Sequence, residues 1–187
     1  MLSVILAAHC LFSPPSDWEI ADSKTPSKRI IVGFVDKSKS GFRPSLNLTY
    51  ERVTIPLNEY LAIVQKNCAA KKQLWRHLGK IETQSGPAEL IQIETKTPFG
   101  PVRILQAILL KNEEAFILTA GMRKADFGKH AATIESAFRS MSICEDLFEK
   151  VSNEQIREAM RKSWQKRNED VDSFQKTLLE QKERGPA

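Results

Sequence analysis

Four apolar or alternating runs follow one another between His77 and Gly121, and nothing else in the sequence restricts the fold as tightly. They are separated by Gly86-Pro87, by Pro98-Phe99-Gly100-Pro101 and by Lys111-Asn112-Glu113-Glu114. Runs of this length bounded by turn formers read as strands, and connections this short join only antiparallel neighbours. The segment is therefore expected to be an antiparallel meander. Its last two runs, "VRILQAILL" and "AFILTAG", are the most apolar of the protein and are expected as the central strands.

The flanking segments supply the remaining layers. Ser3 to Ser13 reads as a first strand, and "SPPSDWEIADSKTPSK" as an irregular surface connection in which Trp18 folds back onto the core. "RIIVGFV", Arg29 to Val35, is a strand; "SLNLTYERV" alternates, with Leu46, Leu48 and Tyr50 toward one side. The period then changes. Leu57, Tyr60, Leu61, Val64 and Cys68 recur at helical spacing after Pro56, which predicts an amphipathic helix with Cys68 on its buried face. Phe127, Ala131, Ile134, Phe138 and Met141 predict a second helix, with Asp126 as its cap and its stripe against the sheet.

Composition shifts after Ile143, which places the domain boundary there: an α/β body of the α+β type over 1–143 and a helical extension over 144–187. Ser152 to Gln155 is a capping-box pattern, so a long amphipathic C-terminal helix is expected to begin there. Met160, Trp164, Val171, Phe174 and Leu178 share one face, with Arg167 interrupting the seam. Together with Arg157 and Arg161 they are the candidate partner-binding residues. Burying Trp164 and Phe174 would contribute on the order of 3–6 kcal/mol, so a face of this kind is expected to dock on its own domain or on another chain.

One triplet suggests chemistry. Asp126-Phe127-Gly128 matches the magnesium-binding signature of protein kinases, but the glycine-rich loop, strand lysine and catalytic loop that must accompany it are absent from the sequence. A helix start explains the same three residues. No GxSxG elbow, phosphate loop or dinucleotide fingerprint occurs. His9, His77 and His130 lie far apart, so neither a metal nor a cofactor is expected. A dyad of Cys68 and His77 can be drawn, against which stands the reading of a core cysteine and a surface histidine. Glu113-Glu114 falls in a hairpin turn, where water solvates it.

The net charge of +5 and pI near 9.1 arise from lysines and arginines interleaved with acids, which does not favour nucleic acid as the partner. Arg161 to Arg167, "RKSWQKR", is the one basic stretch around an aromatic, and a peripheral membrane contact would start there. No stretch approaches the ~20 apolar residues of a membrane span. Three widely spaced cysteines point to a reducing, cytoplasmic setting, with export or envelope association as the alternative if residues 1–10 act as a signal.

The order of elements carries a resemblance. "SPPSDW" leads to a strand pair, then "PSLNLTYERVTIPLNEYLAIVQ", then "GKIETQSGPAELIQIE", and the ending is "QAILLKNEEAFILTAGMRKADFGKHAATIESAFRSMSI". Over about residues 10–143 this resembles the PsbP-like superfamily, which includes PsbP, the Mog-type Ran-binding proteins and DcrB-like proteins. The matching positions are the Pro-Trp start, Glu59-Tyr60, Leu118-Thr119-Ala120, Phe127, Ile134 and Phe138; the closing serine and aromatic of the pattern are altered to Ser140-Met141. The resemblance implies a central antiparallel sheet covered by helices in a sandwich, and a binding or assembly factor without a shared catalytic motif. The expectation is a non-enzymatic module that meets a protein partner, or itself, through its body and C-terminal helix. The rivals are a small hydrolase or transferase built from scattered residues, favoured if His77 or His130 lies in a cleft beside a carboxylate, and a chaperone for secreted proteins, which the basic pI disfavours.

Overall fold

The computed structural model describes residues 5–7, 10–21, 30–37, 41–144, 154, 155, 158 and 162. The chain divides into two compact units, Met1–Cys144 and Glu145–Ala187. In the second, the described residues Glu154, Gln155, Glu158 and Lys162 are helical. The expected docking residues Arg157, Met160, Arg161, Trp164, Val171, Phe174 and Leu178 lie outside the described residues, as does most of the expected C-terminal helix.

The first unit is an α+β body built on the meander. In chain order its elements are β1 (Ile5–Ala7), β2 (Cys10–Phe12), β3 (Trp18–Ile20), β4 (Ile30–Asp36), β5 (Ser45–Arg52), α1 (Leu57–Ala70), β6 (Leu74–Thr83), β7 (Gly86–Thr97), β8 (Gly100–Lys111), β9 (Glu114–Arg123), α2 (Phe127–Arg139) and β10 (Ser142–Ile143). Seven strands pair antiparallel in the order β3-β4-β5-β9-β8-β7-β6, so β9 is central and β8 lies beside it, as their apolar sequences require.

Turn chemistry fixes the meander. The β6–β7 and β7–β8 connections repeat one pattern, Thr-x-x-Gly, at Thr83–Gly86 and Thr97–Gly100. In each, the threonine hydroxyl donates to the glycine carbonyl, at 2.6 and 2.9 Å, and accepts the N–H two residues on, at 3.2 Å in both. Gly86 and Gly100 sit at φ 106° and 100°, a region that a side chain would disfavour. The β8–β9 turn differs: Asn112 and Glu113 both take positive φ, the type I′ hairpin geometry.

Alternation along the strands then divides the core. Leu46, Leu48, Leu105, Ala107, Leu109, Phe116, Leu118, Ala120 and Met122 face one side and pack with Ile134, Ala137 and Phe138 of α2 and Met141 after it. Ile91, Ile93, Ile108, Ala115 and Ile117 face the other and pack with Cys68 and the half-buried Leu57, Tyr60, Leu61 and Val64 of α1. Each sheet face is thus served by one helix.

Two readings of the N-terminal region are corrected. The expected strand from Ser3 to Ser13 is two short strands, β1 and β2, which pair with each other, while β10 flanks β2 in a separate three-stranded sheet. Folding the segment back lets Cys10 and Phe12 enter the α2-side core, at 0% and 1% exposure. The connection around Trp18 is not wholly irregular, because Trp18–Ile20 pairs with Phe34–Asp36 as an edge strand. Trp18 itself is buried as expected, its ring edge-on to His130 at 6.1 Å.

Candidate functional site

Asp126 stands at the start of α2 but does not cap it. A 3-10 turn, Lys124–Asp126, precedes the helix, and Asp126 takes helical angles, φ −92° and ψ −3°. A side-chain cap needs extended angles at that position to aim the oxygen at the free N–H groups. Its carboxylate instead accepts from Arg123 Nε at 2.6 Å. Phe127 takes the guanidinium of Arg103 over its ring at 4.4 Å. The triplet is therefore a helix entrance held by two arginines.

The histidine expected on the surface has a carboxylate partner. His77 on β6, 42% exposed, lies with Nε2 2.7 Å from Glu89 Oε2 on β7, and Lys80 Nζ lies 3.8 Å from the other oxygen of Glu89. The indole of Trp75 stacks on the imidazole at 6.3 Å. These residues lie on the α1-side face of the sheet, opposite Ile91, Ile93 and Ile108, where Glu89 is buried and orients the half-exposed imidazole at the edge of that core. Cys68 does not join them as a nucleophile: it belongs to the α1-side core, and burial pushes its thiol pKa above the ordinary value. Cys10 is still more apolar in setting, its pKa pushed up to about 12 by burial. Among the described residues no cluster of three His, Cys, Asp or Glu side chains is arranged to hold a metal.

The charged feature of the body lies where α1 ends and the β7–β8 hairpin turns. A cleft of about 650 Å³ opens there among Lys71, Lys72, Lys96 and Lys124, with Leu74, Thr95 and Pro101 completing the wall and Glu94 within it. A second cleft of about 560 Å³ shares Pro101 and Lys124 and runs on to Phe99, Arg123 and Ala125. Leu74 and Phe99 are 49% and 59% exposed, so apolar side chains stand at both clefts.

Glu94 is fully engaged. Arg103 donates to its Oε1 twice, from Nε at 3.1 Å and Nη2 at 2.8 Å; Gln92 adds 3.2 Å to the same oxygen, and Lys124 Nζ donates to Oε2 at 2.8 Å. The donors Lys124 and Arg103 hold its carboxyl below the ordinary carboxylate value. Lys71, Lys72 and Lys96 make no ion pair among the described residues, so the cleft keeps a net positive field. Its lysines come from three segments that only the fold unites. The adjacent pair Lys71-Lys72, at a helix end where glycine is usual, is the one signal of this site in the sequence.

No family model matches the sequence, and no curated protein matches it. Solved structures do. The chain is similar to cyanobacterial PsbP from Synechocystis sp. PCC 6803, with a TM-score of 0.56, 9% identity and coverage of 76% of this chain and 92% of that one. It is similar to a Pseudomonas aeruginosa protein of unknown function, described as a putative regulator, with a TM-score of 0.52 at 12% identity over 76% and 97%. LpqN of Mycobacterium tuberculosis, described as involved in cell envelope biogenesis, gives 0.51 at 12% identity over 76% and 90%. At such identities the likeness is one of architecture, and the chain has the PsbP-like fold that its strand order and turn positions had suggested.

Proposed function

We propose that this chain is a non-enzymatic protein-binding or assembly module. Its sheet body is the rigid platform, and the C-terminal segment, with Trp164, Phe174 and the basic residues Arg157 and Arg161, is a second docking element. The observation that carries the reading is the composition of the clefts. Lys71, Lys72 and Lys96, without acidic partners among the described residues, share a cleft with exposed Leu74 around a carboxylate already saturated by its own donors, and exposed Phe99 lines the adjoining cleft. Such a surface offers both charge and apolar contact to a protein partner.

The hydrolase rival has one observation in its favour, the pairing of His77 with Glu89. Against it, Glu89 also faces Lys80, and the buried cysteines have raised pKa values.

The module reading is tested by cross-linking the full chain in its native cell, purifying the partner so identified and rebuilding the complex from the two pure proteins. The expected result is a complex that weakens when the chain is ended after Val151. A shortened chain that keeps its thermal stability, oligomeric state and partner affinity would remove the C-terminal segment from the proposal. The absence of any reconstituted complex would remove the module reading itself.

A further inference from the structure

We infer that the lysine cleft receives an extended acidic segment of a partner protein, and that Lys72 occupies a backbone position suited to glycine because its ammonium serves that contact. The inference rests on the protein-binding reading above and specifies the chemistry of the partner.

The backbone observation comes first. Helix α1 ends in the arrangement in which two N–H groups beyond the helix close back on its last carbonyls. Lys72 N–H donates to Ala69 O and Gln73 N–H to Cys68 O, both at 2.9 Å. The residue between them must take a left-handed backbone, and Lys72 does so with φ 54°. Glycine is the usual occupant because a Cβ is disfavoured there. Lysine gives the helix end only a solvent-screened attraction to the helix dipole: among the described residues its ammonium makes no hydrogen bond and no ion pair, and it lines the cleft. Residues held in uncommon backbone regions concentrate where a side chain is needed for function.

The charge observation is independent of the first. Lys71 and Lys96 also lack acidic partners among the described residues, while Lys124 and Arg103 already neutralise Glu94. The like charges of Lys71, Lys72 and Lys96 at one cleft repel one another until an anion enters.

An acidic peptide fits this site better than other polyanions. The lysines surround one cavity of about 650 Å³ and do not form the long basic track that a nucleic-acid backbone follows. Glu94 in the wall disfavours closely spaced phosphates. Exposed Leu74 and Phe99 with Pro101 suit apolar side chains set between carboxylates.

The experiment titrates the full chain with a labelled peptide alternating Asp and Glu with Leu, and with its Asn/Gln counterpart. Single-stranded oligouridylate and phosphatidylglycerol vesicles are run in parallel, at low and high salt. The acidic peptide is expected to bind in a salt-sensitive manner and the neutral one not to. Lys72→Gly should weaken binding about fivefold, the worth of one ionic contact, while the melting temperature holds or rises. Lys96→Glu should weaken it more, and Lys129→Glu, a charge change on the exposed side of α2, should leave it unchanged. A fall in melting temperature for Lys72→Gly would make Lys72 a structural residue and overturn the inference. So would failure of the acidic peptide to bind, or tighter lysine-dependent binding of the oligonucleotide or vesicles. If the reconstituted protein complex ignores Lys72→Gly and Lys96→Glu, the cleft assignment falls and the module reading stands; if there is no complex, both fall.

Discussion

The two helices cover opposite faces of one sheet and are nearly equal in length, yet they bury different amounts of themselves. Helix α2 sinks His130, Ile134, Ala137 and Phe138 into the core, whereas α1 sinks Cys68 alone and leaves Leu57, Tyr60, Leu61 and Val64 half-buried. Their ends differ in the same sense. The Ser140 hydroxyl closes α2 by donating to Ala137 O and accepting the Ser13 N–H, and Gln84 N–H reaches Met141 O, so the helix end is tied to β2 and to the β6–β7 turn. The end of α1 carries Lys71 and a left-handed Lys72 beside the cleft. One side of the sheet is thus built to hold the fold, and the end of the other is available for contact.

The comparison predicts unequal costs of truncation. Phe138→Ala, at 1% exposure among Phe116, Leu118 and Met141, should cost about 3–5 kcal/mol in urea denaturation. Leu61→Ala on the half-buried stripe of α1 should cost about 1 kcal/mol, because most of what it loses is already partly solvated. Equal costs would mean that α1 is as firmly packed as α2, and the division of roles would fail.

The next test concerns the carboxylate at the cleft. Glu94→Gln removes the charge that Lys124 and Arg103 serve and should cost about 1–3 kcal/mol at neutral pH. The folded pKa of Glu94 is lowered from 4.5, first by the hydrogen bond from Lys124 and then by that from Arg103. The unfolded chain therefore takes up the proton first. The stability that Glu94 supplies is complete above pH 4.5 and is lost as pH falls through the lower folded value. Stability measured against pH should accordingly fall less steeply below pH 4.5 in Glu94→Gln than in the parent chain. Parallel acid limbs would show that Glu94 is not held as its contacts indicate.

These sites were unequally legible in the sequence. The four strands of the meander could be read because the turn residues Gly86, Pro98, Gly100 and Asn112 act locally and the alternation between them has a fixed period of two. Both helices could be read from their stripes for the same reason. The split of Ser3–Ser13 could not, since a short apolar run carries no mark of where it folds back, and β3, Trp18–Ile20, is too short to show an alternation of its own. The cleft was the least legible feature. Lys71-Lys72, Lys96 and Lys124 lie on separate segments, and each alone is an ordinary surface lysine. Glu94 gains its meaning from cross-strand neighbours, Arg103 by register and Lys124 from beyond the end of β9.

The smallest expected effect concerns Asp126, where local sequence logic was sound in kind and wrong in geometry. A lost side-chain cap costs about 1 kcal/mol whatever happens at residue 123. The structure has an ion pair in its place, Arg123 Nε to Asp126 Oδ2, with the two side chains 41% and 29% exposed. Pairs so open to water contribute about 0.2–1 kcal/mol and weaken with salt. Asp126→Ala should therefore cost about 0.5 kcal/mol, with most of that absent once Arg123 is also alanine, so the double variant should be hardly less stable than either single one. A full cost for Asp126→Ala that persists in the Arg123→Ala background would restore the cap. It would also mean that α2 is held at its start by the residue just before it, and the contrast between the two helices would then extend to both of their ends.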